Sequence, residues 1–189
     1  MEFNFTGKKA LVTGGGSGLG RECALLFAKG GADVLIADLK PERCEAVANE
    51  VRALGRNAIA YALDVTDYAQ VEAMYKKIVA EWGTVDFVVN SAGVCLTEDL
   101  TVQTVNDIDL SIDVNIKGTI YSCREALAIM RPKKYGRIVN MSSIAAKTAA
   151  FVALYTLNPP KQAFAAIEDI LTILPYFLGL IIANASRQE

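Results

Sequence analysis

Short apolar runs alternate with amphipathic stretches along most of this chain, and that order restricts the folds it can adopt. The runs are four to six residues long and mostly apolar, as strands buried on both faces of a sheet are. The alternation predicts an α/β fold with a doubly wound, mostly parallel sheet and helices on both faces. The predicted strands are Lys9–Thr13, Asp33–Ala37, Ala58–Leu63, Phe87–Asn90 and Arg137–Met141. The predicted helices are Gly18–Lys29, Pro41–Leu54, Asp67–Trp82 and approximately Val114–Met130.

Length and composition indicate one globular domain over residues 1–189, with residues 151–189 as an atypical C-terminal segment. Apolar residues make up 52% and charged residues 21%, which excludes a disordered chain. A net charge of -2 gives no electrostatic reason to expect nucleic acid as a partner. The N-terminus is unlike a secretory signal and the four cysteines form no C-x-x-C pair, so we expect reduced thiols and a cytoplasmic protein.

The chain contains no histidine. This excludes a Ser-His-Asp triad, a Cys-His pair and a histidine-ligated metal, and no metal site is expected. Acid–base chemistry near neutral pH would therefore depend on Tyr, Lys, Asp, Glu or Cys side chains with shifted pKa values.

A glycine-rich turn, Thr13–Gly20, joins the first predicted strand to the first predicted helix. This spacing in this context is typical of a Rossmann-type dinucleotide-binding turn. Gly14 permits the tight turn, Gly18 lets the backbone approach a pyrophosphate, and Gly20 lets helix and strand pack closely. The N–H groups that open the helix would face the phosphates. The cofactor contacts predicted here are Gly14, Ser17, Gly18, Leu19 and Gly20.

Asp38 closes the second predicted strand, about 20 residues beyond the glycines. Its carboxylate is placed to accept hydrogen bonds from the adenosine ribose hydroxyls, and Leu39 beside it is a further predicted contact. The same charge would repel the 2′-phosphate of NADP. No cation stands at Ser17 or Leu39 to attract that phosphate, although Lys40 is close. NAD is therefore the predicted cofactor and NADP the less favoured alternative.

Ordered motifs over about residues 7–147 resemble the short-chain dehydrogenase/reductase family. The similar segments are Thr13–Gly20, Asp64-Val65, Asn90-Ser91-Ala92-Gly93, Asp113–Gly118 and Gly136–Ser143. One Asn of the family's N-N-A-G motif is replaced by Ser91. The resemblance implies further cofactor contacts from Asp64, Val65, Asn90, Ala92 and Gly93.

The resemblance also implies hydride transfer between a nicotinamide and a carbonyl or secondary alcohol. In this family a Tyr is the general acid or base, and a Lys one helical turn later supplies the charge that tunes it. Ser143 would polarise the substrate oxygen, and Asn115 would help hold a water that relays protons. Without a complete set of these Tyr, Lys, Ser and Asn residues the chain would bind a dinucleotide but not turn over a substrate. The alternative is therefore a non-catalytic or truncated member of the family that binds a dinucleotide.

The family's Tyr-x-x-x-Lys pattern is interrupted in this chain. Tyr155 lies close to the family's distance from Ser143, but the next lysine is Lys161, and Pro159 and Pro160 stand between them. Residues i and i+4 share a helix face, whereas i+6 does not, and a proline pair disfavours a continuous helix. If Tyr155 is the acid–base group, Lys161 must reach back toward it. If Lys161 is the family lysine, Leu157 occupies the tyrosine position and the acid is absent. We favour Tyr155.

Residues 151–189 do not match the family's expected continuation, a sixth strand, a nicotinamide-contacting loop, a lid and a last strand. A truncated or rearranged product, residues outside this numbering and an unreliable C-terminal sequence all remain open. Absent C-terminal strands would leave a buried sheet edge unpaired, so we expect a homodimer or homotetramer.

The uncharged run Ile170–Ala185 is short for a membrane span and is interrupted by Pro175, so a core or interface helix is favoured and no membrane partner is expected. Apolar residues after Gly93 and in the segment 144–154 indicate an apolar pocket wall. Together with the reaction that the resemblance implies, they lead us to expect a small-molecule carbonyl or alcohol substrate with an apolar body.

Overall fold

The computed structural model of the 189-residue chain describes residues 3–96 and 101–142. In these ranges five strands form one sheet in the order β3-β2-β1-β4-β5, and every neighbouring pair is parallel. The strands are β1 Lys9–Thr13, β2 Asp33–Asp38, β3 Ala58–Ala62, β4 Phe87–Asn90 and β5 Arg137–Asn140. The prediction of a doubly wound parallel sheet is confirmed. The expectation about missing C-terminal strands falls on residues 143–189, outside the described ranges.

The helices alternate with the strands as the sequence predicts, with one difference. They are α1 Gly18–Lys29, α2 Pro41–Ala53, α3 Tyr68–Trp82, α4 Val105–Ile112 and α5 Thr119–Met130, with a π-helical segment, Asp113–Gly118, between the last two. Asp67 caps α3, accepting hydrogen bonds from the N–H groups of Ala69 and Gln70. No helix in the described ranges is long and apolar enough to cross a membrane, and the run 170–185 lies outside them.

The predicted start of the last helix, Val114, is wrong by nine residues because helical structure begins at Val105. Thr104 and Asp107 form a capping box in which each side chain accepts a hydrogen bond from the other residue's backbone N–H. No residue of α4 is buried, although Val105, Ile108 and Ile112 recur at helical spacing. The capping box marks the residue at which this helix begins.

Two apolar layers, one on each face of the sheet, hold the helices in place. One layer joins Leu11, Leu35 and Val88 of the sheet to α3 and α5, through residues such as Met74 and Ala126. The other layer joins Val12, Val34 and Ile36 to α1 and α2. Because successive strand residues point to opposite faces, each central strand contributes to both layers. This two-sided burial explains why the middle residues of β1, β2 and β4 are apolar.

A cluster of charged and polar groups ties the strands together at their amino ends. The buried Asp33 carboxylate accepts hydrogen bonds from the Lys9 ammonium, the Arg56 guanidinium at 3.0 Å and the Asn57 N–H at 3.0 Å. Asp86 accepts one from the Lys9 N–H at 3.0 Å and one from the Lys133 ammonium at 2.9 Å. Lys133 is thus partly buried and paired with a carboxylate.

The pKa of Asp33 makes this amino-end cluster sensitive to acid. Burial alone would raise that pKa, but hydrogen bonds from Lys9 and Asn57 outweigh it and hold the pKa at about 2, below the ordinary 3.8. A depressed carboxyl pKa adds stability that is present above the unfolded value and is lost as the pH falls through the folded value. The contribution of Asp33 is therefore lost between about pH 4 and pH 2.

Replacement of Asp33 by Asn tests this account. We expect a loss of about 2–4 kcal/mol in the free energy of unfolding at pH 7, because Lys9 and Arg56 lose their anionic partner. The difference from the unmodified chain should shrink as the pH falls from about 5 toward 2. Urea unfolding across this pH range measures both effects. The control is Glu45→Gln, which removes an exposed partner of Arg52 and should cost less than about 0.5 kcal/mol. A difference that does not change with pH would contradict the assigned role of the Asp33 charge.

Candidate functional site

The glycine-rich turn lies at the carboxyl ends of the strands, where the strand order reverses on either side of β1. β1 pairs with β2 on one side and with β4 on the other, so the chain crosses in opposite directions from this strand. Backbone hydrogen bonds hold the turn and the loop after β4 beside these strands: Gly15 N–H to Ala37 O at 3.0 Å and Ser91 N–H to Thr13 O at 3.1 Å. Ligands of open parallel sheets bind at such a reversal point.

Gly14 and Gly20 are required by contacts within the protein. Gly14 has a φ of 64°, and an added Cβ there would lie 2.7 Å from the backbone of Ala92, in the loop after β4. An added Cβ at Gly20 would collide with the carbonyl oxygen of Gly14. The predicted tight turn at Gly14 and close helix packing at Gly20 agree with this geometry, and Ala92 lies directly against the turn.

Gly18 differs because its surroundings are open. It has a φ of 52°, and an added Cβ would meet nothing within 4 Å. Ser17 is the N-cap of α1 but makes no capping hydrogen bond, and the first turn contains no acidic residue. The side chain of Leu19 is 69% exposed. Among the described residues no side chain accepts a hydrogen bond from the first N–H groups of α1, and with the helix dipole these groups fit an anionic diphosphate.

Asp38 is brought to the glycine turn by hydrogen bonds to backbone N–H groups. Its carboxylate accepts from Gly16 at 3.1 Å and from Lys40 at 3.2 Å. Leu39 follows as an exposed apolar side chain beside the carboxylate. The structure thus brings Asp38 and Leu39 next to the turn, as an adenosine ribose site at this position requires.

Asp64 is oriented by a local turn just beyond β3. Its Oδ1 atom accepts hydrogen bonds from the Thr66 hydroxyl at 2.7 Å and the Thr66 N–H at 2.9 Å. The Asp64 N–H is itself bound to the Gln70 side chain at 3.1 Å. Val65 is buried against Gly118, where an added Cβ would lie 2.8 Å from it. The role of Thr66 in orienting Asp64 was not predicted, although a Thr two residues after an Asp is a recognisable turn signal.

Asn115 lies in the π-helical segment and binds the loop after β4 by both ends of its amide. Its Oδ1 accepts from the Val94 N–H and its Nδ2 donates to the Val94 carbonyl, each at 2.9 Å. An added Cβ at Gly93 would lie 3.2 Å from the same Oδ1. The Asn115 carbonyl accepts a hydrogen bond from the Thr119 hydroxyl at 3.0 Å. Asn115 therefore holds the loop that contains Ala92 and Gly93, and π-helical segments are frequent at functional sites.

Asn90 is buried beneath the site. Its amide nitrogen donates to Asn140 Oδ1 at 2.8 Å and lies 3.4 Å from Cys123 Sγ, while its Oδ1 is buried without a hydrogen-bond partner. Burial raises the pKa of the Cys123 thiol, so the sulfur stays protonated beside the two amides. Asn140, not singled out from the sequence, links β4 to β5.

Three predicted catalytic residues, Ser143, Tyr155 and Lys161, lie outside the described residues. Of the predicted cofactor contacts, the structure brings the turn, Asp38 and the loop after β4 to one edge of the sheet. The four cysteines are free thiols, as expected.

Comparison with known proteins gives consistent similarities. A family model described as short chain dehydrogenase matches residues 8–157, and so extends beyond residue 147, where the motifs end. Oxidoreductase UcpA of Escherichia coli is 39% identical over 180 residues, which cover 95% of this chain and 65% of UcpA. The 3-oxoacyl-(acyl-carrier-protein) reductase FabG of Thermotoga maritima is 34% identical over 85% of this chain and 62% of FabG. The chain thus spans somewhat less than two thirds of these relatives.

A solved structure described as NAD+-bound xylitol dehydrogenase superposes with a TM-score of 0.80 at 27% identity. The superposition covers 96% of this chain and 67% of that one. The family model spans most of the chain, and the strand order, the glycine turn and the relatives agree with it. The chain therefore belongs to the short-chain dehydrogenase family.

Proposed function

We propose that this protein is an oxidoreductase that transfers a hydride between NAD(H) and a secondary alcohol or ketone. The observation that carries the proposal is the open amino end of α1 at Gly18, where no described side chain accepts a hydrogen bond and where the preceding turn is bound to the Asp38 carboxylate through Gly16. A diphosphate there would receive backbone N–H groups, and the ribose hydroxyls would donate to Asp38. NAD is preferred to NADP because the Asp38 charge repels a 2′-phosphate.

The adenine and nicotinamide ends of the cofactor would contact different loops at the same edge of the sheet. Asp64 Oδ2 accepts no hydrogen bond within the described residues, and with Val65 it would contact the adenine. Ala92 and Gly93 would border the cofactor from the loop after β4, which Asn115 holds in place. The bound nicotinamide would supply or accept the hydride.

The chain's own residues would manage one proton and orient the substrate. In ketone reduction, Tyr155 would donate its hydroxyl proton to the substrate oxygen as the carbonyl carbon gains the hydride, and alcohol oxidation would run in reverse. Lys161 would lower the pKa of Tyr155, because a nearby cation favours the phenolate. Ser143 would donate a hydrogen bond to the substrate oxygen, and Asn115 would help hold a water for the proton's path to solvent.

A second candidate is a relative that binds the dinucleotide without turnover. Pro159 and Pro160 between Tyr155 and Lys161 favour it, because the two side chains then lack the one-turn spacing that charge tuning needs. In either case we propose a cytoplasmic homodimer or homotetramer. Its ligand would be a small carbonyl or alcohol compound with an apolar body.

The variant Gly18→Ala tests the diphosphate site. An Ala at this positive φ should lower the free energy of unfolding by about 1–2 kcal/mol and weaken NADH binding at least tenfold, since the methyl group occupies the diphosphate approach. The matched control is Gly7→Ala, which also has a positive φ of 75° and open surroundings but lies away from the turn. It should lose similar stability and keep its NADH affinity. Calorimetric titration and urea unfolding measure the two quantities, and equal NADH affinity in both variants would refute the assigned diphosphate position.

The variant Tyr155→Phe separates the two candidate functions. If Tyr155 is the acid–base group, turnover of cyclic ketones with NADH should fall by about 10²–10⁴-fold while NADH affinity stays within about twofold. Tyr135→Phe is the control, because that ring contacts Lys8 and Lys133 at the opposite end of the sheet. Undiminished turnover in Tyr155→Phe would rule out the assigned acid. NADH binding by the unmodified protein with no turnover of ketones, steroids or acyl thioesters would support the non-catalytic candidate.

A further inference from the structure

The loop that joins α5 to β5 presents basic side chains at the amino-end edge of the sheet, opposite the glycine turn. Arg131, Lys134 and Arg137 are exposed there. The Lys8 ammonium, from the residue before β1, lies 4.5 Å from the centre of the Tyr135 ring, which is also exposed. We call these four cations and Tyr135 the basic patch.

The charge of the basic patch is not balanced within the described ranges. Among those residues no carboxylate forms an ion pair with any of its four cations. At the same edge Asp33 and Asp86 are buried, and each is already bound by other cations. The whole chain has a net charge of -2, so the patch is a positive region on a protein whose other residues are net negative.

Lys134 adopts a backbone conformation that glycine normally fills. Its φ is 50°, and every other described residue with a positive φ is a glycine. A side chain in this left-handed region destabilises the turn relative to glycine. The dipole of α5 favours cations only near its last turn, which ends at Met130. Neither the turn nor the helix therefore favours a lysine here, and residues held in such conformations concentrate at functional sites.

Contacts inside the protein hold the backbone of this loop in place. An added Cβ at Gly136 would collide with the Met130 side chain, so the loop packs directly on the end of α5. The Arg137 N–H donates a hydrogen bond to the Asp86 carbonyl at 2.9 Å. A backbone that is already ordered loses less conformational entropy when a partner binds.

Several cations beside an aromatic ring match a partner that presents several carboxylates. An arginine binds a carboxylate through two parallel N–H groups, and clusters of basic residues recognise acidic peptide motifs. Nucleic acids and anionic membranes extend well beyond a patch of this size and would also face the net negative remainder of the protein. A short acidic segment of a protein requires only the patch itself.

We propose that the basic patch is a docking surface for an acidic segment of a partner protein. The patch and the proposed dinucleotide site lie at opposite edges of the sheet, so the inference does not depend on the proposed function.

The probe is a fluorescein-labelled peptide of alternating glutamate and serine, and fluorescence anisotropy at low ionic strength measures its affinity for the full chain. The test variant combines Arg131→Gln, Lys134→Gln and Arg137→Gln and leaves the partly buried Lys133 in place. We expect it to weaken binding at least about tenfold, because the carboxylates of the peptide lose their partners. The affinity of the unmodified protein should also fall as the ionic strength rises.

The matched control combines Lys40→Gln, Arg43→Gln and Lys117→Gln. These exposed cations lie toward the opposite edge of the sheet, and their removal changes the net charge by the same amount. The control should weaken binding by less than about threefold, because only long-range attraction is lost. A peptide with glutamine in place of glutamate should not bind the unmodified protein.

The variant Lys134→Gly separates docking from local stability. Glycine adopts the left-handed backbone without strain, so the urea midpoint should stay the same or rise. The affinity for the acidic peptide should nevertheless fall by about threefold or more, because one cation is lost. An unchanged affinity in this variant would contradict the assigned role of Lys134.

The inference is overturned if the unmodified protein does not bind the acidic peptide, if both triple variants lose affinity equally, or if the test variant loses none. Tighter binding of phosphatidylserine vesicles or of a single-stranded oligonucleotide than of the peptide, at the same ionic strength, would also overturn it, because the partner would then be a different polyanion. NADH titration of the unmodified protein tests the proposed function separately, since neither result alters the other.

Discussion

The parallel pairing of β1 with both β2 and β4 is the constraint on which the other features depend. Leu11 lies opposite Leu35 on one side and Val88 on the other, so the central strand is apolar on both faces and enclosed by two layers of helices. Because the strands all run in one direction, the segments that follow them meet at one edge of the sheet. The glycine turn, Asp38 and the loop held by Asn115 are distant in sequence and adjacent there for this reason alone.

The order of the elements was predictable because burial on both faces leaves a plain pattern. The apolar runs are bounded by Gly, Asp or Asn, and the observed strand ends lie within one residue of the predicted ones. Helix α4 was missed although its sequence carries two signals, a Thr-x-x-Asp capping box and apolar residues at helical spacing, Val105, Ile108 and Ile112. The π-helical segment was not predicted from the sequence, because one extra residue in a helical turn does not change the amino-acid composition of the segment.

The candidate site was predictable to the extent that its groups belong to short motifs. The spacing of Gly14, Gly18 and Gly20 indicated the turn. In the structure Gly14 and Gly20 lie against other backbone atoms, whereas Gly18 is open to its surroundings. The hydrogen bond from the Gly16 N–H to Asp38 depends on how the turn folds back over β2, and the pair of hydrogen bonds between Asn115 and Val94 depends on the π-helical segment. Such contacts form between secondary-structure elements that are distant in the sequence, so no local sequence pattern predicts them.

The amino-end cluster around Asp33 and Asp86 has a consequence for how this fold can diversify. Its charged groups join β1 and β2 to the segments that precede β3, β4 and β5, at the edge opposite the glycine turn. The ionic contacts that stabilise the sheet thus lie at the amino ends of the strands, and the loops proposed to bind the ligand lie at the carboxyl ends. Substitutions that alter a loop at the carboxyl edge leave the ionic anchor intact, so new specificities can arise on this scaffold without first weakening it. A lineage of such proteins could therefore exchange its ligands while keeping one sheet.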